Sequence, residues 1–274
     1  MSQSPNTPIV LSVAGSDSGG GAGIQADIKA ISATGSYACT VITALTAQNT
    51  RGVSGVMAVP GDFIEQQFEA IFSDIQVDAV KIGMLGDSAT ISTVAAAIRK
   101  YKPEYVVLDP VMVATSGDVL LAAEATDTLI NELIPLADVI TPNLPEAQAL
   151  LAARPALNTT DMNETEAQCK QLLSYGCQSV LIKGGHQEAD TSTDFWLGSE
   201  GLRTYSSQRI DTKNTHGTGC TLSASIASFL AQGYPMAEAI QQAKNYIQAA
   251  IEHADTLKIG EGSGPVHHFY RQAL

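Results

Sequence analysis

Six short apolar runs, most of them followed by a stretch with helical spacing, decide what this chain of 274 residues can become. Residues 9–15, 41–45, 79–85, 105–111, 138–141 and 179–184 are rich in β-branched side chains and do not alternate apolar with polar. Strands that read this way are covered on both faces, as in parallel sheets. Between them Ile91, Val94, Ala95 and Ile98 fall at i, i+3, i+4 and i+7, one face of a helix. Met236, Ile240, Ala243, Ile247 and Ile251 repeat that pattern near the C-terminus. Strand–helix alternation predicts an α/β fold with a mostly parallel sheet and helices on both sides. Two more strand-like runs surround Gly198-Ser-Glu-Gly201 within 194–210, a hairpin signal. Residues 52–60 read as a small projecting strand or flap. No repeat, low-complexity run or Pro/Gly-rich linker divides the chain. The expectation is one domain over 1–274, with 1–8 as a flexible N-terminus.

Charge narrows the partners. Fifteen Lys and Arg against 28 Asp and Glu give a net charge of −13. Such a chain repels phosphate backbones and anionic membrane surfaces, so no nucleic acid and no membrane partner is expected. A small anionic ligand stays open, because it needs only local backbone N–H groups and a few cations. With 45% apolar and 16% charged residues the chain is not a disordered tail. Cys39, Cys169, Cys177 and Cys220 form no C-x-x-C pair, which argues against a zinc ribbon or a thioredoxin motif. Residues 1–8 are polar without a basic region, and no apolar run approaches the ~20 residues of a membrane span. The expectation is a soluble cytoplasmic protein with reduced thiols.

Functional groups in open parallel sheets gather beyond the carboxyl ends of the strands, and polar clusters stand there. The first strand runs into Ala14-Gly-Ser-Asp-Ser-Gly-Gly-Gly-Ala-Gly23. Its glycines either let the backbone approach a ligand or make an ordinary strand–helix turn. It is not in register for a dinucleotide fingerprint. A second cluster, Asp211-Thr-Lys-Asn-Thr-His-Gly-Thr-Gly-Cys220, precedes Leu222, Ile226, Phe229 and Leu230 at helical spacing. Gly217, Thr218 and Gly219 therefore stand at a helix N-terminus, an anion site. Cys220 falls in the first turn, where the positive helix end lowers a thiol pKa, or is simply a small residue packed there. His216 reads as a structural donor or a third chemical group. A third cluster is Thr141-Pro-Asn-Leu-Pro-Glu146. Asn143 and Glu146 suit a hydrated Mg²⁺ beside phosphates, while Glu146 also suits a helix start. Asp109, before Pro110, is either a metal-linked carboxylate or a loop-ordering one.

In this order, Ala14-Gly-Ser-Asp-Ser18, Thr40-Val-Ile-Thr-Ala-Leu-Thr-Ala-Gln-Asn-Thr50, Val80-Lys-Ile-Gly-Met-Leu85, Val107-Leu-Asp-Pro-Val-Met112, Ile140-Thr-Pro-Asn-Leu-Pro-Glu-Ala147, Lys183-Gly-Gly-His186 and Asn214-Thr-His-Gly-Thr-Gly-Cys220 resemble a known pattern. It is that of the ribokinase-like superfamily, and within it of the hydroxymethylpyrimidine/phosphomethylpyrimidine kinases of thiamine biosynthesis. Gly20 stands where that pattern has Ser, in a loop whose backbone makes the contact. The tail 265–274 matches less well, and nothing catalytic is expected of it.

The resemblance implies a three-layer αβα sandwich with a small flap. It implies ATP-dependent phosphorylation of an aminopyrimidine alcohol, then of its monophosphate. Gln48 would read the pyrimidine edge through a donor and an acceptor. Gly15, Ala22, Met84 and Val111 would line the ring pocket, and Gly217, Thr218 and Gly219 would form the anion hole. Cys220 stands where most of the superfamily has an Asp base. Asp109, Asn143 and Glu146 would serve Mg²⁺-ATP, with Asp109 and Glu146 toward the metal directly or through water. Lys183 and Lys244 would reach the phosphates or their rim. A homodimer paired through the flap follows by analogy, and dependence on a monovalent cation is left open. The rivals are a pyridoxine/pyridoxal kinase on the same fold, a thiol hydrolase using Cys220 and His216, and a nucleotide-binding regulator without turnover. Gln48 and Cys220 favour the pyrimidine enzyme.

Overall fold

The computed structural model describes residues 7–113, 120–122, 124–153, 164–184 and 190–272. Most of the segment expected to be flexible, and Gly185 and His186 of the matching stretches, lie outside them. Nine strands among the described residues form one sheet: β1 (Ile9–Asp17), β2 (Tyr37–Asn49), β3 (Gly52–Ala58), β4 (Ala79–Ile82), β5 (Tyr105–Leu108), β6 (Val139–Ile140), β7 (Val180–Ile182), β8 (Thr191–Gly198) and β9 (Gly201–Gln208). Their order is β3-β2-β1-β4-β5-β6-β7-β8-β9. The strands from β2 to β7 run parallel, while β3, β8 and β9 are antiparallel to their neighbours. The helices are α1 (Gly23–Ala33), α2 (Gly61–Phe72), α3 (Ser88–Tyr101), α4 (Ala125–Thr128), α5 (Leu144–Ala153), α6 (Glu164–Leu173), α7 (Thr218–Ala231) and α8 (Met236–Glu252).

Two cores explain why the strands do not alternate. Leu11, Val13, Val80, Ile82, Val106, Leu108, Ile140, Val180 and Ile182 face one core with α2 to α6. Val10, Ala79, Val107, Val139 and Leu181 face the other with α1, α7 and α8. Each face of the central strands is buried, so both must be apolar. The second layer is close-packed because α7 presents Ser223, Ala224, Ser225, Ala227 and Ser228, all buried.

Several strands end sooner than the apolar runs. β4 stops at Ile82 and β5 at Leu108, where Pro110 removes a donor. Residues 83–85 and 109–111 thereby become loops beyond the strand ends, carrying Met84, Asp109 and Val111. β2 is longer than its run, because its far half pairs with β3 to make the flap. β8 and β9 form the expected hairpin around Ser199 and Glu200, with Gly201 at φ +92°. The strand order reverses at β1, which lies between β2 and β4, and such a switch point opens a crevice at the carboxyl ends.

Candidate active site

Two glycine turns meet at that crevice. Gly217 precedes α7 with φ +80°, and a Cβ there would lie 1.8 Å from the Gly21 carbonyl oxygen. A Cβ on Gly21 would strike the His216 ring at 2.3 Å. The loop after β1 and the loop before α7 thus touch backbone to backbone, which a side chain at either glycine would prevent. The first turn of α7 leaves N–H donors without intrahelical partners, beside the positive end of its dipole. Gly219 in that turn has space for a Cβ only at 3.2 Å from Lys183 Nζ and 3.6 Å from Asp109 Oδ2. Amide donors, an ammonium and a carboxylate therefore converge on one spot.

Asp17 organises the glycine loop. Its Oδ1 accepts from Gly19 N–H at 2.8 Å. Its Oδ2 accepts from Gly21 N–H at 3.0 Å and Ala22 N–H at 2.8 Å. His216 Nε2 lies 2.9 Å from the same oxygen. Burial works against the charged carboxyl, but the bonds from His216, Ala22 and Gly19 outweigh it and hold its pKa below the ordinary value. A charged Asp17 fixes the proton on His216 Nε2. Gln48 Nε2, 3.4 Å from that nitrogen, therefore has no acceptor in it, while Gln48 Oε1 accepts from Thr46 Oγ1 at 3.1 Å. Gly15 lies against Met84, whose Cε would be 2.6 Å from a Cβ on the glycine. Thr43 donates to the Met84 carbonyl at 2.8 Å, fixing the loop. A cavity of about 330 Å³ opens beside Gln48 and His216, walled by Asn49, Thr50, Arg51 and Gly262. Another, of about 380 Å³, lies at the amino ends of the strands between Arg99, Lys102 and Asp138, away from these groups.

Across the crevice stands a charged cluster. Lys183, just after β7, donates to Asp109 Oδ1 at 2.6 Å and lies 3.9 Å from Glu146 Oε2. Thr141 and Ser223 also donate to Asp109, at 3.1 and 3.3 Å. Burial would raise the Asp109 pKa, but Lys183 and Lys81 outweigh it and keep the carboxyl below its ordinary value. Burial raises that of Glu146, against the pull of Lys183 and with a push from Asp109. Asn143 and Glu146 form a reciprocal capping box at the start of α5: Glu146 N–H donates to Asn143 Oδ1 and Asn143 N–H to Glu146 Oε2, each at 2.8 Å. The helix-start role of Glu146 is therefore realised, and Asn143 spends its side-chain oxygen on it. Among the described residues no three His, Cys, Asp or Glu side chains gather into a metal cage. Asp109 and Glu146, two carboxylates flanking Lys183, would suit a Mg²⁺ held largely through water.

Cys220 departs from expectation. It lies in the first turn of α7 as the spacing predicts, but burial pushes its thiol up to about 11. The Lys81 ammonium and a bond from Gly23 N–H pull it down, while Asp27 and Asp109 push it further up. The helix end does not leave a thiolate at neutral pH, because the sulfur is desolvated among carboxylates.

The comparisons with known proteins meet this geometry. The family model described as Phosphomethylpyrimidine kinase matches residues 17–267. The chain belongs to the phosphomethylpyrimidine kinase family. It is 52% identical over 265 residues to a hydroxymethylpyrimidine/phosphomethylpyrimidine kinase of Rhizobium meliloti, covering 97% of this chain and 98% of the relative. Among solved structures, a phosphomethylpyrimidine kinase from Clostridium difficile is 42% identical with a TM-score of 0.77, over 89% of this chain and 99% of that one. A Bacillus subtilis pyridoxal kinase in complex with ADP is 35% identical with a TM-score of 0.85, over 96% and 98%. The ribokinase-like αβα architecture is therefore that of the family.

Two features of this phosphomethylpyrimidine kinase family member lie apart from the sequence reading. Lys244 is not in the charged cluster. Its ammonium is buried against Asp194 Oδ2 at 2.7 Å, and Asp194 Oδ1 takes the Gly184 N–H at 2.9 Å. The pair braces the segment after Lys183 from below. The segment 263–268, which leads into the tail, is in contrast structural to the site. His216 N–H donates to the Gly264 carbonyl at 3.0 Å, and Ser263 N–H to that of Thr50 at 2.9 Å. His268 Nε2 lies 2.9 Å from Thr221 Oγ1 in α7. One strap thus ties the flap turn to the turn before α7.

The strap titrates. Burial, with Lys29 and His267 nearby, lowers the His268 pKa to about 3. A histidine depressed in the fold binds its proton more readily when unfolded, so its contribution is whole above about pH 6.5 and is lost as pH falls toward 3. Each unit in that window removes about 1.4 kcal/mol. Urea unfolding of the wild type at pH 7 and pH 5 is expected to differ by about 2 kcal/mol more than in His268→Gln. Equal differences would show that the tail is not a determinant of acid stability.

Proposed function

We propose that this chain transfers the γ-phosphoryl group of ATP to the hydroxymethyl oxygen of an aminopyrimidine, and then to the phosphate of that product, in thiamine biosynthesis. The convergence of the α7 amide donors, Lys183 and Asp109 on Gly219, with the Gln48 amide at the acceptor side, carries this reading. Phosphoryl transfer asks a protein for alignment and charge stabilisation rather than covalent chemistry. Gly217, Thr218 and Gly219 offer N–H groups to the transferred oxygens. Lys183 would neutralise the phosphates, and Asp109 and Glu146 would hold Mg²⁺-ATP, with Asn143 fixing Glu146. Gly15, Ala22, Met84 and Val111 line the ring slot, and Gln48 reads its edge. An ADP-release assay on hydroxymethylpyrimidine, its monophosphate and pyridoxal tests the reading. Turnover of the first two above pyridoxal is expected; turnover of pyridoxal alone would replace the acceptor, and ATP-independent product would replace the reaction class. Running the assay with potassium or choline as the salt reads monovalent-cation dependence.

Gln48→Ala is expected to weaken acceptor binding by about 1–3 kcal/mol, the value of a lost buried partner, and to leave the KM for ATP unchanged. An unchanged pyrimidine KM would remove Gln48 from the slot.

A second copy of this chain is the partner we infer for the flap. Leu45, Val56 and Met57 on β2 and β3, and Phe63 at the start of α2, are exposed apolar side chains on one edge. β3 is also the outermost strand on its side of the sheet among the described residues. Sedimentation at twice the monomer mass is expected.

A further inference from the structure

A charged pair lies fully buried beneath the first turn of α7, and the reaction as derived above makes no use of it. Lys81 stands in the middle of β4, with Asp27 in α1, and neither has any exposed surface. Lys81 Nζ donates to both Asp27 oxygens, at 2.9 and 2.8 Å. Ser12, paired in register with Lys81, donates to Asp27 Oδ2 at 2.6 Å. A buried ion pair is often no more stabilising than apolar residues of the same size, so its presence asks for another reason.

Its placement supplies one. The ammonium points toward the carboxyl end of the sheet: a Cβ on Gly83, the second residue beyond Lys81, would lie 2.8 Å from Nζ. Asp27 sits one turn along α1 from Gly23, whose backbone N–H helps to lower the Cys220 pKa. Burial would lower the Lys81 pKa, but Asp27 first, with Cys220 and Asp109 close enough to add to it, outweighs that and keeps the ammonium protonated. The charged groups around the Cys220 sulfur are therefore Asp27 from α1, Lys81 from β4, Asp109 beyond β5 and Lys183 beyond β7.

We propose that the Asp27–Lys81 pair is a positioning element for phosphoryl transfer. Its ammonium supplies fixed positive potential beneath Cys220 and the anion hole, and Asp27 with Ser12 holds that ammonium in place. Preorganised charge of this kind needs no rearrangement when negative charge builds up at the transferred group. The inference rests on reading the start of α7 as that anion hole.

The test combines thiol labelling with kinetics. Cys39, Cys169 and Cys177 are buried, so iodoacetamide acts first on half-buried Cys220, and peptide mass spectrometry locates it. At pH 8, Lys81→Met is expected to slow labelling of Cys220 at least about threefold and Asp27→Asn to speed it at least about threefold, half a pKa unit each way. Lys81→Met also leaves a buried carboxylate alone and can fail to fold. The double variant Asp27→Asn/Lys81→Met removes both charges and keeps the test alive. In it, kcat should fall about tenfold with the KM for ATP within about twofold, a smaller loss than that of a direct anion-hole donor. Shifts of opposite sign in the single variants, with a lower kcat in the double, are the expected result. Labelling rates that do not move, or move in the same direction, would overturn the inference, as would a wild-type kcat in the double variant. Labelling needs no substrate, so absence of phosphorylation by the wild type would count against the proposed function alone.

Discussion

Gly219→Val is expected to lower kcat at least about a hundredfold in a protein that still folds, the usual size of effect when an oxyanion donor is displaced. The first atom of the new side chain would already lie 3.2 Å from Lys183 Nζ and 3.6 Å from Asp109 Oδ2. The two methyl groups beyond it would enter the space where phosphoryl oxygens meet the α7 amides. Folding should survive, because Gly219 is only half-buried and is not at positive φ. Single-turnover rates together with circular dichroism give the answer. A folded variant with wild-type turnover would move the anion hole elsewhere.

Cys220→Ala is expected to separate the two phosphorylations. The first acceptor is a neutral alcohol whose proton must leave, and a base in the right place is worth about 10²–10⁴-fold. The second is a phosphate monoester with a second pKa of about 6, mostly a dianion at neutral pH, which needs no base. The first step should therefore lose at least about tenfold more kcat/KM than the second. The raised thiol pKa adds a sign. Below about 11 the thiolate fraction rises with pH, by about tenfold per unit, so wild-type kcat/KM for the alcohol should climb between pH 7 and 9. The monophosphate step should stay level there, and Cys220→Ala should flatten the first profile. Equal losses for both acceptors would make Cys220 a shaping residue of the turn.

Strand order and layering were legible because burial of both sheet faces writes itself into composition. The motifs were legible because glycines before α7 and after β1 have no substitute where backbones touch. What could not be read was the electrostatic company each residue keeps. Cys220 carried a helix-start signal, but the carboxylates that oppose it come from α1 and the loop after β5. Lys244 carried a charge, but its partner Asp194 stands 50 residues away in β8. Lys81 did leave a trace: an ammonium within an apolar run that reads as a buried strand demands a partner. The segment 263–268 left little, because its links to Thr50 and His216 run through carbonyls and amides, which every residue has, and only His268 adds a side chain.

The contact between Gly21 and Gly217 has a consequence for how the enzyme is born. A nascent chain makes β1, the central strand, and its glycine loop first, while the turn that completes the site leaves the ribosome almost two hundred residues later. Contacts so distant in sequence slow folding and leave sheet edges unpaired in the meantime. The Thr50–Ser263 bond delays completion further, until residue 263 has emerged. A fragment ending before residue 214 would hold the carboxylates and the Lys183 ammonium without the amides they face. Synthesis has to pass this segment before there is any catalyst, and no half of the domain can be expressed as a working part.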